Sequence, residues 1–134
     1  MDHRARGPFE VGLAPLDPYH QEPGAGLARF ALDKRFRGEL EAVSKGEMLS
    51  AGSPASSGGY VALEHVRGSL QGREGAFALM HNATMVRGTP EMNIIVVPGS
   101  GSGALKGLVG RLTITVAADG AHAYQFDYGF DPAI

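Results

Sequence analysis

Along most of this chain apolar side chains recur at every second position. Nowhere do they keep a three-or-four spacing for three turns without a glycine or proline intervening. Period two is the signature of a strand with one face turned to a core, and period 3.6 that of a helix. The alternation therefore predicts an all-β chain. Eight strand-like runs can be marked off, at Phe9–Val11, Leu27–Leu40, Glu47–Ala51, Tyr60–Leu70, Gly75–Met85, Asn93–Val97, Gly110–Val116 and His122–Phe130. The stretches between them hold much of the chain's glycine and proline, at positions where a meander needs turns. A length of 134 residues supports one core and no second. The expected architecture is a single domain, residues 1–134, folded as an eight-stranded antiparallel up-and-down barrel.

Three segments share the pattern Gly-x-Leu-x-small: Gly38 to Ala42, Gly68 to Gly72 and Gly103 to Gly107. If the turns they mark are equivalent, their leucines plug one end of the barrel. The other end is then the mouth, rimmed by residues 12–26, 52–59, 86–92 and 117–121. Residues 52–59, rich in glycine and serine, read as a flexible loop.

The hairpin between residues 60 and 85 fixes the faces. A type II′ turn at Gly72-Arg73 sets Gln71 against Glu74 and Glu64 against His81. One face then carries Tyr60, Ala62, Glu64 and Val66 with Phe77, Leu79 and His81, and its apolar members make it the core face. The same reasoning turns Phe30, Leu32, Lys34 and Phe36 inward with Glu47 and Leu49. It also turns Ile95 and Val97 inward with Leu112, Ile114 and Val116. For the last hairpin, a three-residue turn Ala118-Asp119-Gly120 pairs Ile114 with Tyr124 and Leu112 with Phe126. Tyr124, Phe126, Tyr128 and Phe130 then form an inner wall. Outward-facing Val61, Leu63 and Met80 form an apolar patch, expected to meet a second copy or to be covered by the 12–26 segment.

Apolar walls with a few inward polar groups describe a pocket for a small molecule. Glu64 and His81 are the candidate catalytic pair, because a desolvated carboxylate beside an imidazole can donate and accept a proton near neutral pH. The same pair can equally be a structural ion pair. Tyr60, Phe77, Leu79, Tyr124, Phe126 and Tyr128 are candidate ligand-lining residues, with the tyrosines orienting a ligand through their hydroxyls or simply packing. Lys34 and Glu47 either pair with each other or stand in solvent.

Other functions find little support. A net charge of −2 offers no footprint for nucleic acid or an anionic membrane. The absence of cysteine removes disulfides and thiolate chemistry. No apolar run is long enough for a membrane span, and the residues after Met1 lack the apolar core of a secretory signal, so a cytoplasmic protein is expected. His3, His20 and His65 have no partners at ligand spacing, and no metal or other cofactor is expected. Gly99-Ser100-Gly101-Ser102-Gly103 lacks the Gly-Lys-Ser/Thr of a phosphate loop and reads as a structural turn.

The segments Tyr60 to Leu70, Gly72 to His81 and Val97 to Gly110 resemble a bacterial domain family of unknown function grouped with the allene-oxide-cyclase-like barrels. The likeness runs from about Gly7 to Phe130, and Glu64 and His81 match two polar positions of the family pattern. Gly101-x-Gly103-x-Leu105 resembles the Gly-Thr-Gly-x-Phe turn of dirigent proteins, with Ser102 and Leu105 in place of threonine and phenylalanine. The resemblance implies an allene-oxide-cyclase-like eight-stranded barrel, frequent homo-oligomers, and cofactor-free cyclisation or stereocontrol of apolar substrates. The functional expectation is a barrel binding a small apolar molecule, acting as a cofactor-independent isomerase or cyclase if it is an enzyme. The alternatives are a non-catalytic carrier or sensor, and a filled barrel working through its oligomer surface.

Overall fold

The computed structural model describes residues 1–53 and 56–134, so the middle of the expected 52–59 loop lies outside the described residues. Among the described residues nine strands form one sheet: β1 (His3–Leu16), β2 (Leu27–Phe36), β3 (Leu40–Gly52), β4 (Gly58–Leu70), β5 (Arg73–Val86), β6 (Thr89–Val96), the two-residue β7 (Ser102–Gly103), β8 (Leu108–Val116) and β9 (His122–Phe130). All pairings are antiparallel, and β4 pairs with both β3 and β5, so the eight long strands close into a meander barrel in the order β4-β3-β2-β1-β9-β8-β6-β5. β7 lies alongside the start of β5, where Gly75 faces Gly103. Ser100 fastens the same loop, its Oγ donating to the Val97 carbonyl at 2.6 Å and accepting the Ala78 N–H at 3.0 Å.

β1 is far longer than the expected Phe9–Val11, because Gly7, Pro8 and the charged outward residues disguise its alternation. It pairs with β9 from His3 to Phe9 and with β2 from Phe9 to Leu16, changing partner at Phe9. Pro8 donates nothing to the ladder, but its carbonyl still accepts the Arg37 N–H at 3.0 Å.

The turn expected at Gly72-Arg73 is instead made by Gln71 and Gly72, which both have positive φ (47° and 85°) and form a type I′ hairpin turn. Leu70 therefore faces Arg73, and Glu64 faces Leu79 rather than His81. The slip is two residues. A two-residue slip conserves the faces, so Glu64 and His81 still share the interior.

Two phases came out reversed. β2 ends at Phe36 and a turn at Gly38 starts β3 at Leu40, which points Ala42, Ser44 and Gly46 inward and Glu47 and Leu49 outward. A second tight turn, at Arg87-Gly88, replaces the irregular connection expected over 86–92 and sets Val86 against Thr89. Ile94 and Val96 are consequently the buried residues of β6, not Ile95 and Val97. The last hairpin has the expected register, with Leu112 against Phe126 and Ile114 against Tyr124.

Leu40, Leu70 and Leu105 are all buried in one core with Leu108, Phe126 and Tyr128. Their turns bond to one another, Gln71 N–H donating to the Glu39 carbonyl and Ala104 N–H to the Glu74 carbonyl, both at 2.8 Å. This end is closed. At the other end β8 and β9 stop at Val116 and His122, whereas β1 runs on past its last β9 partner to Leu16. β6 and β8 share a single ladder pair, Ile95 with Arg111. The wall is therefore low on the β8–β9 side, and the opposite wall, β1 to β6, stands above it as a curved sheet. Residues 17–26 do not cover the outward patch. Val61, Leu63 and Met80 are all exposed.

Candidate functional site

Just below the low wall, three charged or titratable side chains meet inside the barrel: Lys34 from β2, Glu64 from β4 and His81 from β5, which are 7%, 2% and 3% exposed. Their strands put them on the inner face by parity. β3, which lies between Lys34 and Glu64, contributes only small side chains there: Ser44 stands opposite Lys34, and Gly46 faces both Leu32 and Glu64. A Cβ at Gly46 would fall 2.0 Å from the Leu63 carbonyl oxygen and 2.9 Å from the Glu64 Cβ, so only glycine lets β3 pass this close to β4. That gap lets the lysine reach across β3.

Glu64 is the hub. Its Oε1 accepts the Ser44 hydroxyl at 2.8 Å, and its Oε2 lies 2.8 Å from Lys34 Nζ and 2.5 Å from His81 Nε2. Burial pushes the carboxyl pKa up, but His81 and Lys34 together outweigh it and hold the group down at about 2. Glu64 is thus a fixed anion at neutral pH, able to orient and to balance charge but unable to trade protons there. Lys34 Nζ has the Phe9 and Phe36 rings at 5.4 and 5.8 Å as its other neighbours.

His81 Nε2 approaches Glu64 off the line of a good hydrogen bond, and it is the one buried side-chain N or O without one among the described residues. Nδ1 makes no hydrogen bond either, and the side chain as a whole is 3% exposed. Tyr60 stands 6.5 Å from the His81 ring, centroid to centroid. Burial, and then the nearby Glu64 charge, push its phenol pKa up, so it remains a donor.

Above the cluster, inward positions are apolar: Leu32 and Ala62, next above Lys34 and Glu64, are buried, and beyond them the side chains become reachable. Val11 and Leu13 on β1, Met92 on β6 and Val116 on β8 are 38, 49, 47 and 61% exposed, and Phe30, Met48, Tyr60 and Ile114 are half-buried. They make an open apolar bowl, with the Lys34–Glu64–His81 cluster buried below it.

Of the residues expected at the site, the structure brings together Glu64, His81 and Tyr60. Phe77, Leu79, Tyr124, Phe126 and Tyr128 lie in the packed core beneath. There Tyr124 Oη donates to the Arg37 carbonyl at 2.6 Å and accepts the Leu40 N–H at 2.8 Å, and Tyr128 Oη donates to Gln71 Oε1. Lys34, expected to pair with Glu47 or to be solvated, does neither; Glu47 is outside, paired with Arg29 at 2.8 Å. Ser44 and the bowl residues Val11, Leu13, Met48 and Met92 were missed. For Ser44 and Met48, the even parity of β3 was the available signal.

A surface depression of about 860 Å³ lies over the rim of β2 to β6, where it takes in the bowl residues Tyr60 and Met92 together with Leu27, Leu49, Val61 and Asn82. None of the cluster residues lines it. Among the described residues, no three His, Asp or Glu side chains converge as a metal site requires, and no helix is long and apolar enough to cross a membrane.

None of the curated proteins matches the chain. A crystal structure of a protein with unknown function from the DUF3224 family of Shewanella oneidensis MR-1, at 1.84 Å resolution, does: it is 45% identical, superposes with a TM-score of 0.91, and the match covers 97% of this chain and 98% of that one. The family model described as "Protein of unknown function (DUF3224)" matches residues 5–128. With nearly its whole barrel inside that match, the chain belongs to the DUF3224 family.

Proposed function

We propose that the barrel binds a small, largely apolar molecule in its open bowl and moves a proton on it without a cofactor, as an isomerase or cyclase. The observation that carries this reading is a desolvated lysine–glutamate–histidine cluster on the same inner strand faces as the reachable apolar side chains above it. In this reading His81 is the catalytic residue, working through Nδ1. Glu64 is a positioning residue, since a carboxylate facing one ring nitrogen favours the proton there and leaves the other nitrogen basic. Tyr60 orients the ligand from the rim, and Phe77 and Leu79 support the floor. The resemblance to allene-oxide-cyclase-like barrels supports the same class of chemistry.

A second reading, a non-catalytic carrier or sensor, draws on the saturation of Glu64 by Ser44, Lys34 and His81, which is also how a structural ion cluster is satisfied. The exposed outward residues Leu49, Val61, Leu63 and Met80 support a contact between copies of the chain.

Native mass spectrometry of protein taken directly from cells tests binding. The expected result is a bound small molecule that His81→Gln retains but no longer converts. Conversion that persists in His81→Gln sinks the catalytic role, and retention without conversion in the wild type leaves the carrier.

A further inference from the structure

The charge balance of the cluster narrows the chemistry of the ligand, on the reading that the bowl is a binding site. Lys34 and Glu64 already neutralise each other at 2.8 Å, with both side chains almost wholly out of water. A ligand carboxylate set against Lys34 would bring a second anion beside Glu64, and two carboxylates in one desolvated site repel. A pure hydrocarbon would fill the apolar walls but leave His81 Nδ1 without a partner. The arrangement wants a neutral oxygen acceptor for Lys34 and a proton for Nδ1, carried by one molecule. The bowl above offers Phe30, Tyr60, Met48 and Met92, aromatic and thioether groups that pack well on a flat or unsaturated body.

We propose that the ligand is a neutral, enolisable carbonyl compound with an apolar body, its oxygen on Lys34 Nζ and its α-carbon against Nδ1 of His81. The α C–H bond breaks, its proton passes to Nδ1, and its electron pair forms the C=C of an enolate whose oxygen carries the negative charge beside the lysine ammonium. Returning the proton from Nδ1 to the same or a conjugated carbon regenerates the neutral ring and gives the starting ketone or its isomer. No oxidant, reductant or co-reactant is needed. Lys34 is then a second catalytic residue, stabilising charge that exists only after proton removal.

The test uses 2-tetralone, an apolar enolisable ketone, incubated with the full chain in D2O. Proton NMR follows exchange of its α-hydrogens, and saturation-transfer NMR follows binding. The wild type is expected to speed exchange by roughly 100-fold or more over buffer, a usual size for a positioned general base. His81→Gln should abolish the acceleration while tetralone stays bound. The double variant Lys34→Met/Glu64→Gln leaves no lone buried charge, so it is expected to fold; it should bind the hydrocarbon tetralin normally and lose most of the exchange rate. Bound tetralone without accelerated exchange overturns the proposal and leaves the bowl as a binding site. So does acceleration undiminished in His81→Gln, or 2-naphthoate binding more tightly than tetralone. Failure of both tetralone and tetralin to bind overturns the binding-site reading itself.

Discussion

The two ends of this barrel are made by the same alternating strands, yet their inward positions meet different fates. At the closed end Leu40, Leu70, Leu105 and Leu108 are buried against Tyr128, beneath turns that bond to one another. At the open end the same parity delivers Val11, Leu13, Met92 and Val116 to solvent. Residue type does not separate the two, since aliphatic side chains line both. Strand length does: β8 and β9 end at a turn over residues 117–121, and the wall they leave is lower than the one from β1 to β6. The polar cluster sits near the boundary, deep enough to be desolvated.

The contrast is broken most severely from below. Phe126→Ala opens a cavity in the closed core and should cost about 3–5 kcal/mol in urea unfolding. A much smaller loss would mean that the lower half is not tightly packed. At the boundary, Glu64→Leu strands the Lys34 ammonium and should cost about 3 kcal/mol, most of it recovered by adding Lys34→Met. A single variant as stable as the wild type would show that the cluster is hydrated.

Acid sharpens the same point. The folded Glu64 pKa of about 2 lies below its ordinary value of 4.5, so its stabilisation is complete above about 4.5 and is lost as pH falls towards 2. The stability gap between the wild type and Lys34→Met/Glu64→Gln should change over that window and stay level above it, as read by denaturation at stepped pH. Tyr124→Phe removes the acceptor of the buried Leu40 N–H and should cost about 1–2 kcal/mol in thermal unfolding, without altering ligand binding. At the bowl, Val11→Ser or Met92→Ser should shift stability by less than about 0.5 kcal/mol while weakening binding of tetralin. A large stability loss there would mean that the bowl is packed shut.

Much of this division was legible before the fold was known. The parity of Tyr60 to Val66 with Phe77 to His81 put Glu64 and His81 on one face, and the two-residue slip at the Gln71-Gly72 turn did not disturb it. The slip made them diagonal neighbours, a separation that a glutamate and an imidazole can span. The sequence leaves Lys34 between an inward and a solvated place, and its partnership with Glu64 was not legible, because their contact crosses β3 and depends on the small residues Ser44 and Gly46 between them.

The sequence by itself determined the strand class, the meander, the leucine-plugged end and the inward direction of Glu64 and His81, because period two records a face locally and every hairpin passes that face on. The tertiary structure alone decided the phase of Ile94 to Val97, where an unbroken apolar run holds no alternation and a remote turn at Gly88 sets it. It alone also decided which inward residues remain open to solvent. That depends on how far each strand outlasts its neighbours around a closed ring, and no single strand encodes it.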